Sequence, residues 1–116
     1  MRGIEGEQVL LRLILSESRQ HDHRPLFRAI LELLRAEGMA GTTVIKGIAG
    51  FGHDGAVHTT AIEAVSADLP LVIEVVDTQE RIDRVVPRLA PLLEGGVMML
   101  ERAHVIRYAR SSSGTA

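Results

Sequence analysis

Apolar and polar residues alternate along the first part of the chain. Within QVLLRLILSES, residues 8–18, every second side chain points to the same side of an extended backbone. One side carries Leu11, Leu13 and Leu15, and the other carries Leu10, Arg12 and Ile14. The pattern predicts a β-strand with one apolar face and one mixed face.

The next apolar residues recur at helical spacing. A helix is predicted to begin near Pro25, because proline suits the first helical position, and to end at Gly38 as a left-handed cap. Its apolar stripe consists of Leu26, Phe27, Ile30, Leu31, Leu33 and Leu34. The polar stretch SRQHDH before it is predicted to be a loop.

A second helix follows residue 77. Asp77 is the predicted N-cap, and Glu80 lies three positions further on, which is the spacing of a capping box. Pro87 and Pro91 fall inside the helical pattern, so we expect a kink or a break near residue 86.

Three further segments read as strands. TTVIKGIAG is rich in β-branched residues, LPLVIEVVD carries Pro70 at its start, and GGVMML with AHVIRYA supplies a last strand or strand pair. The order β-α-β-β-α-β predicts an α+β, ferredoxin-like sandwich with two helices on one face of an antiparallel sheet. Residues 1–116 are expected to form one domain, with a core at about 8–108 and a flexible tail at 109–116.

The second face of the predicted sheet is also apolar. Leu10, Ile14, Ile45, Val72 and Val76 all fall on the side away from the helices. Because a sheet that is apolar on both sides needs a second cover, and only two helices are available, we predict a homo-oligomer.

The composition argues against several classes of protein. The chain has 116 residues, 46% of them apolar, a net charge of −2, no cysteine and only three aromatic residues. Nucleic-acid binding is not expected, because no basic excess and no stacking surface are present. Disulfides and cysteine-based zinc sites are excluded. Since no apolar run is long enough for membrane insertion, we expect a cytoplasmic protein.

The segment VIKGIAGFGHDGAVH, residues 44–58, raises the question of ligand binding. Its glycines and Lys46 could hold a phosphate group through backbone N–H groups. No Walker signature completes the segment, so a glycine-rich hairpin loop is the alternative.

The histidines His53, His58 and His104 leave a metal site open. No nucleophile with a partnered base is evident, and the protein is not expected to be an enzyme. Arg12, Lys46 and Glu74 are expected to form structural or inter-subunit ion pairs.

Three longer motifs resemble those of a known family. They are RPLFRAILELLRAEGMAGTTVIKGIAGFG, HTTAIEAVSADLPLVIEVVD and ERAHVIRY. Through them the chain resembles, from about Val9 to Tyr108, the PII-like proteins grouped as domain of unknown function 190. More widely it is similar to the PII signalling proteins, which are trimers that bind ATP or ADP between subunits and contact target proteins through a long loop.

The resemblance implies a homotrimeric regulator whose 51–68 loop changes conformation when a small ligand binds between subunits. It further implies that Gly50 to Gly52 form the hinge at the base of that loop, after a strand that ends at residue 49. The regulated partner would be a protein such as a membrane transporter or an enzyme. The candidate ligand is ADP, AMP or ATP. The candidate contacts are Lys46, Gly47, Gly50, Phe51, Gly52, His58, Arg107 and Arg110.

Two of these contacts have structural alternatives. Phe51 could pack on a base or plug the base of the loop, and Arg107 could bind the ligand or pair with Glu74 or Glu101 of a neighbouring subunit. The chain also departs from PII proteins, because its LLEGGVMMLE connection before the last strand has no lysine and its only tyrosine is Tyr108. A metal-binding trimer that resembles copper-tolerance proteins, or a purely structural trimer, are the other hypotheses.

Overall fold

Six main elements follow one another in the predicted order β-α-β-β-α-β. The computed structural model describes residues 4–51, 57–59 and 68–107, the segment 57–59 by its backbone only. The main elements are β1 (Gly6–Ser16), α1 (Leu26–Ala36), β2 (Thr42–Lys46), β3 (Pro70–Asp77), α2 (Gln79–Leu89) and β4 (Val97–Val105). The predicted 109–116 tail lies outside the described residues.

The four main strands form one antiparallel sheet in the order β2-β3-β1-β4. This is the predicted ferredoxin-like arrangement, and β4 is one continuous strand rather than a pair. β1 and β2 end at the same edge of the sheet at which β3 and β4 begin, and we call this edge the upper end. Within residues 4–51 and 68–107, no helix is both long and apolar enough to cross a bilayer.

The core lies between the helices and one face of the sheet. The predicted alternation in β1 is confirmed, since Leu11 and Leu13 are fully buried and Leu15 nearly so. They pack with fully buried residues of β3, α1 and α2, namely Ile73, Val75, Ile30, Leu34, Ile82, Val85 and Leu89. Burial of each such side chain contributes roughly 1.5–3 kcal/mol to the free energy of unfolding.

Helix α1 begins and ends close to the predicted positions. Pro25 is the residue just before its first turn, and Gly38 has the predicted left-handed conformation, with φ of +73°. The N–H of Gly38 donates to Arg35 and that of Met39 to Leu34, the paired hydrogen bonds of a Schellman motif. The helix therefore ends at a glycine that the backbone conformation requires.

The predicted N-cap of α2 is wrong. The N-cap is Thr78, whose side-chain oxygen accepts a hydrogen bond from the N–H of Arg81 at 3.2 Å. Asp77 is instead fully buried at the end of β3. No break occurs at residue 86, because the helix continues through Pro87 to Leu89 and then tightens into a 3-10 turn at Ala90–Leu92. Pro91 lies in that turn.

Two short ribbons were not predicted from the sequence. Gln20–His21 pairs with Arg24–Pro25, and Ala49–Phe51 pairs with Val57–Thr59. The first is closed by Asp22 and His23, which both have positive φ, as the tight turns of β-hairpins require. These two residues do not include glycine, so the sequence gives no strong turn signal there.

Candidate functional site

The upper end of the sheet gathers most of the predicted contacts that the structure describes. It holds the end of β2 with Lys46, the segment 47–51 that follows, the β1–α1 loop, and the turn before β4. The chain that enters β3 is fixed to the β1–α1 loop, because Ser18 donates from its hydroxyl to Asp68 at 2.7 Å and Glu17 donates from its N–H to the carbonyl of Leu69 at 2.8 Å. The end of the 51–68 segment at residue 68 is thus fixed to the β1–α1 loop.

Lys46 ends β2 and carries an exposed ammonium group. Its Nζ lies 2.9 Å from Oε2 of Glu17, and the lysine side chain is 55% exposed. Ion pairs at this exposure contribute little to stability and exchange readily with other partners. Lys46 is therefore placed to contact an anionic ligand at the cost of one weak ion pair.

Gly47 and Gly50 are positions where the backbone passes close to Pro70. A Cβ atom on Gly47 would lie 2.7 Å from Cγ of Pro70, and one on Gly50 would lie 3.1 Å from the same atom. The N–H of Gly47 also donates to the carbonyl of Pro70 at 2.7 Å. These two glycines are explained by close packing against the start of β3.

The predicted end of the second strand is wrong. The second strand was predicted to continue to residue 49 and to bend at Gly50 to Gly52, but β2 ends at Lys46 and a new strand begins at Ala49. The chain changes direction at residues 47–48, because Gly47 follows the last residue paired with β3 and lies against Pro70. Gly50 and Phe51 belong to the ribbon instead.

The ribbon and the residue just before it expose large apolar side chains to solvent. Ile48 is 75% exposed and Phe51 is 72% exposed. Among the described residues, the side chain of Phe51 therefore does not fill a space at the base of the loop. It is accessible to a ligand or to another chain. His58 pairs with Gly50 through the backbone, whereas its side chain, Gly52 and most of the 51–68 loop lie outside the described residues.

Arg107 lies at the opposite corner of the sheet from Lys46. It comes two residues after Val105, which pairs with Gly6 at the start of β1, and its side chain is exposed. Lys46 pairs with Leu71 of β3, and Leu71 pairs with Leu15 near the end of β1. Leu15 and Gly6 are nine positions apart on β1. At about 3.3 Å per position, Lys46 and Arg107 are therefore separated by roughly 30 Å along the strand direction. Arg110 lies outside the described residues.

Arg12 takes both of the carboxylates that were considered as partners for Arg107. Its Nε and Nη2 lie 2.8 Å from Oε2 of Glu74, and its Nη1 lies 3.3 Å from Oε1 of Glu101. The hydrogen bond to Glu74 raises the pKa of the Arg12 guanidinium further above its usual value. The predicted ion pairs of Arg12, Glu74 and Lys46 are thus present within one chain.

The three charges of Arg12, Glu74 and Glu101 lie in the middle of the sheet face that points away from the helices, which we call the open face. Around them the face is apolar, and Ile45 and Val97 are exposed by 48% and 47%. The other apolar residues of the open face are Leu10, Ile14, Val72, Val76 and Met99. The predicted second apolar face is therefore present.

The described histidines do not gather into a metal site. Nδ1 of His104 lies 2.7 Å from Oε1 of Glu7, at the edge of the sheet near the end of β4. In the described part of the chain, no three histidine or acidic side chains are grouped so that they could hold a metal ion. His53 lies outside that part.

Arg19 is a cationic residue at the upper end of the sheet that was not among the ligand contacts predicted from the sequence. It lies in the β1–α1 loop, and its Nη1 would be 2.9 Å from a Cβ atom on Gly95 in the turn before β4. The two residues are far apart in the sequence and belong to no shared motif, so only the fold reveals that they are neighbours.

Comparison with known proteins identifies the family. The family model described as "DUF190: Uncharacterized ACR" matches residues 8–105. A UPF0166 protein of Methanocaldococcus jannaschii is 34% identical over 99 residues, covering 84% of this chain and 91% of its own. A UPF0166 protein of Aquifex aeolicus is 30% identical over 97 residues, with the same two coverages.

Solved structures share the fold at low sequence identity. CPII, a nitrogen regulatory PII-like protein from Thiomonas intermedia K12, bound to ADP, AMP and bicarbonate, matches with a TM-score of 0.66 and 17% identity. The match covers 90% of this chain and 91% of that one. The apo form of CPII matches with a TM-score of 0.60 and 16% identity, over 90% of this chain and 97% of that one. The chain therefore belongs to the DUF190 family and has the fold of the PII-like proteins.

Proposed function

We propose that the protein is a non-catalytic, PII-like regulator that acts as a homotrimer in the cytoplasm. It binds an adenine nucleotide between subunits, and the segment that follows Lys46 transmits the state of that site to a protein partner. The ligand chemistry is suggested by CPII, a protein of the same fold that was crystallised with ADP and AMP. The partner would be a membrane transporter or an enzyme.

The observation that carries the proposal is the separation of Lys46 from Arg107. Within one chain, a small ligand would have to span about 30 Å to contact both residues. The open face lies between their two corners and carries exposed apolar side chains, among them Ile45 and Val97. A second copy that covers this face in a head-to-tail arrangement brings unlike patches of the two chains together. Such an assembly provides one cleft for each pair of neighbouring chains.

The open face is suited to burial in an assembly. Arg12 already pairs with Glu74 and Glu101 of its own chain, so a covering subunit does not leave that cation without a partner. An unpaired buried charge would cost several kcal/mol, whereas a paired one costs far less. The apolar residues around the three charges supply the area that drives association.

Regulation requires that the ligand prefers one conformation of the loop. A ligand shifts a conformational equilibrium only by the difference between its affinities for the two states. Phe51 and Gly50 belong to the ribbon at the base of the 51–68 loop, and Lys46 precedes it by a few residues. A nucleotide that contacts these residues would favour the loop conformation in which they contact it best.

Nucleotide binding provides the test of this function. We expect ADP or AMP to raise the melting temperature of the wild-type protein and to show saturable binding in isothermal titration. Arg107→Ala should weaken binding about tenfold, because a charge-assisted hydrogen bond to phosphate is lost. Arg102→Ala is the matched control, since it removes an exposed arginine from β4 and should leave binding unchanged. If ATP, ADP and AMP all fail to bind, the proposed function is wrong.

A further inference from the structure

We propose that the turn Ser16–Arg19 is a clasp that couples Lys46 to the start of β3 and competes with the ligand for that lysine. Glu17 of the turn pairs with Lys46, and the next residue, Ser18, holds Asp68. β2 ends at Lys46 and β3 begins two residues after Asp68, so the turn contacts both ends of the chain segment between these strands. The inference rests on the proposed function in one respect, which is that the anion that displaces Glu17 is the bound nucleotide.

The first observation is the backbone of the turn. The N–H of Arg19 donates to the carbonyl of Ser16 at 3.1 Å and closes a four-residue turn, whose central residues are Glu17 and Ser18. The carbonyl of Arg19 accepts from the N–H of Leu26 at 2.8 Å, so the turn is held between the end of β1 and the start of α1. The two central residues are therefore fixed relative to each other, and a shift of one moves the other.

The second observation is the contact of the turn with the start of β3. The hydroxyl of Ser18 donates to Oδ1 of Asp68 at 2.7 Å, and the N–H of Ser18 donates to the same atom at 3.3 Å. The N–H of Glu17 donates to the carbonyl of Leu69 at 2.8 Å. Three hydrogen bonds from two adjacent residues thus fix the chain where it enters β3.

The third observation is the contact of the turn with the end of β2. Oε2 of Glu17 lies 2.9 Å from Nζ of Lys46, and the two side chains are 26% and 55% exposed. An ion pair at this exposure is weak. It therefore orients the lysine toward the turn, yet an anionic ligand can replace the carboxylate.

Ligand binding at Lys46 would change the balance of charge at the turn. When the ammonium group moves to an anion, the carboxylate of Glu17 loses this partner, while Ser18 still holds the carboxylate of Asp68. Two carboxylates at neighbouring residues of one turn then lose a cation that offsets their repulsion. The repulsion weakens the hydrogen bonds between the turn and the start of β3. The state of the ligand site at the end of β2 is passed in this way to the point where the chain returns to the sheet.

Titration calorimetry with ADP tests the competition. Glu17→Gln removes the competing charge and keeps the size of the side chain, so it should tighten ADP binding about threefold, the range of one exposed ion pair. A residue with a structural role alone would weaken binding when it is replaced. In Lys46→Ala, the further change Glu17→Gln should have no effect, because Glu17 acts through the lysine.

Glu37→Gln is the matched control for this titration. Glu37 pairs with Arg88 at 2.6 Å, and the two side chains are 22% and 58% exposed, close to the values of Glu17 and Lys46. The pair joins the end of α1 to α2, away from the turn. Glu37→Gln should therefore bind ADP as the wild type does.

Amide hydrogen exchange tests the coupling without any nucleotide. Lys46→Ala removes the partner of Glu17 and should speed exchange at the N–H groups of Glu17 and Ser18 about threefold, because their hydrogen bonds to the start of β3 open more often. Arg88→Ala, which breaks the Glu37 pair instead, should leave exchange at these two groups unchanged. Equal melting temperatures of the variants exclude misfolding as the cause of a difference.

The outcomes separate the clasp from the proposed function. If ADP binds Glu17→Gln as tightly as the wild type, or more weakly, the clasp is wrong and nucleotide binding stands. If exchange at Glu17 and Ser18 is the same in Lys46→Ala and in the wild type, the clasp is wrong whether or not ADP binds. If ADP does not bind the wild type but Lys46→Ala speeds this exchange, the coupling between the two strands stands and the proposed function fails.

Discussion

Replacement of Asp77 by alanine is expected to lower the free energy of unfolding by about 3 kcal/mol, because a fully buried carboxyl group loses at least two hydrogen bonds. Asp77 is fully buried at the end of β3. Its Oδ2 accepts from the N–H of Ala40 at 2.8 Å, and its Oδ1 accepts from the N–H of Thr78 at 2.7 Å. The carboxyl group thus joins the end of β3 to the α1–β2 connection and to the start of α2.

Alanine would remove this acceptor from the buried N–H of Ala40 and from the partly buried N–H of Thr78, and it would leave a small cavity. Urea unfolding followed by circular dichroism measures the loss. Asp83→Ala is the matched control, since Asp83 is exposed on α2 and accepts a hydrogen bond from Gln79 at the protein surface. Its effect should be within about 0.5 kcal/mol. A loss below 1 kcal/mol for Asp77→Ala would show that the buried carboxyl group has no such role.

Replacement of Val97 by glutamate is expected to convert the assembly into single chains. Val97 lies on the open face at the start of β4 and is 47% exposed in one chain, so the fold itself should tolerate the change. In an assembly that covers this face, each new carboxylate would be buried without a partner. Such a charge costs about 3–5 kcal/mol, and every subunit of the proposed trimer would carry one.

Leu100→Glu is the matched control for the open face. Leu100 lies on the same strand and is 49% exposed, but it pairs with Leu11, whose side chain points to the helices. Light scattering at micromolar concentration should give a mass of about 38 kDa, three times the 12.6 kDa of the chain, for the wild type and for Leu100→Glu. It should give the mass of one chain for Val97→Glu. A single-chain mass for the wild type would contradict the proposed trimer.

The order of elements could be predicted from the sequence because each element has a clear period. The alternation in β1 and the helical stripe of α1 both follow from burial on one face, and the structure confirms them. The capping residue of α2 was misassigned, because Asp77 and Thr78 are both good N-cap residues and only the fold shows that Asp77 is buried. Local preference alone cannot separate two adjacent candidates.

The candidate site was less predictable than the fold. Gly47 and Gly50 were predicted as ligand contacts, whereas their close neighbour in the structure is Pro70, a residue of β3. The end of the second strand was misplaced for the same reason, since contact with a distant strand decides where β2 ends. Arg19 could not be selected at all, because its position depends on a turn that follows α2.

Subunit complementation examines directly whether the ligand site lies between chains. Lys46→Ala and Arg107→Ala should each bind ADP weakly when they are the only chain present. In trimers that contain both variants, some clefts combine the intact Lys46 of one chain with the intact Arg107 of its neighbour. Random mixing of the two chains in a cyclic trimer restores about a quarter of the clefts.

The measurement is titration of ADP into the trimers that form from co-expressed Lys46→Ala and Arg107→Ala chains, with the mixed and the unmixed trimers purified together. We predict that wild-type affinity reappears in about a quarter of the sites, as independent pairing across a head-to-tail interface requires. Trimers that contain both chains and yet show no recovered sites would contradict a ligand site shared between subunits.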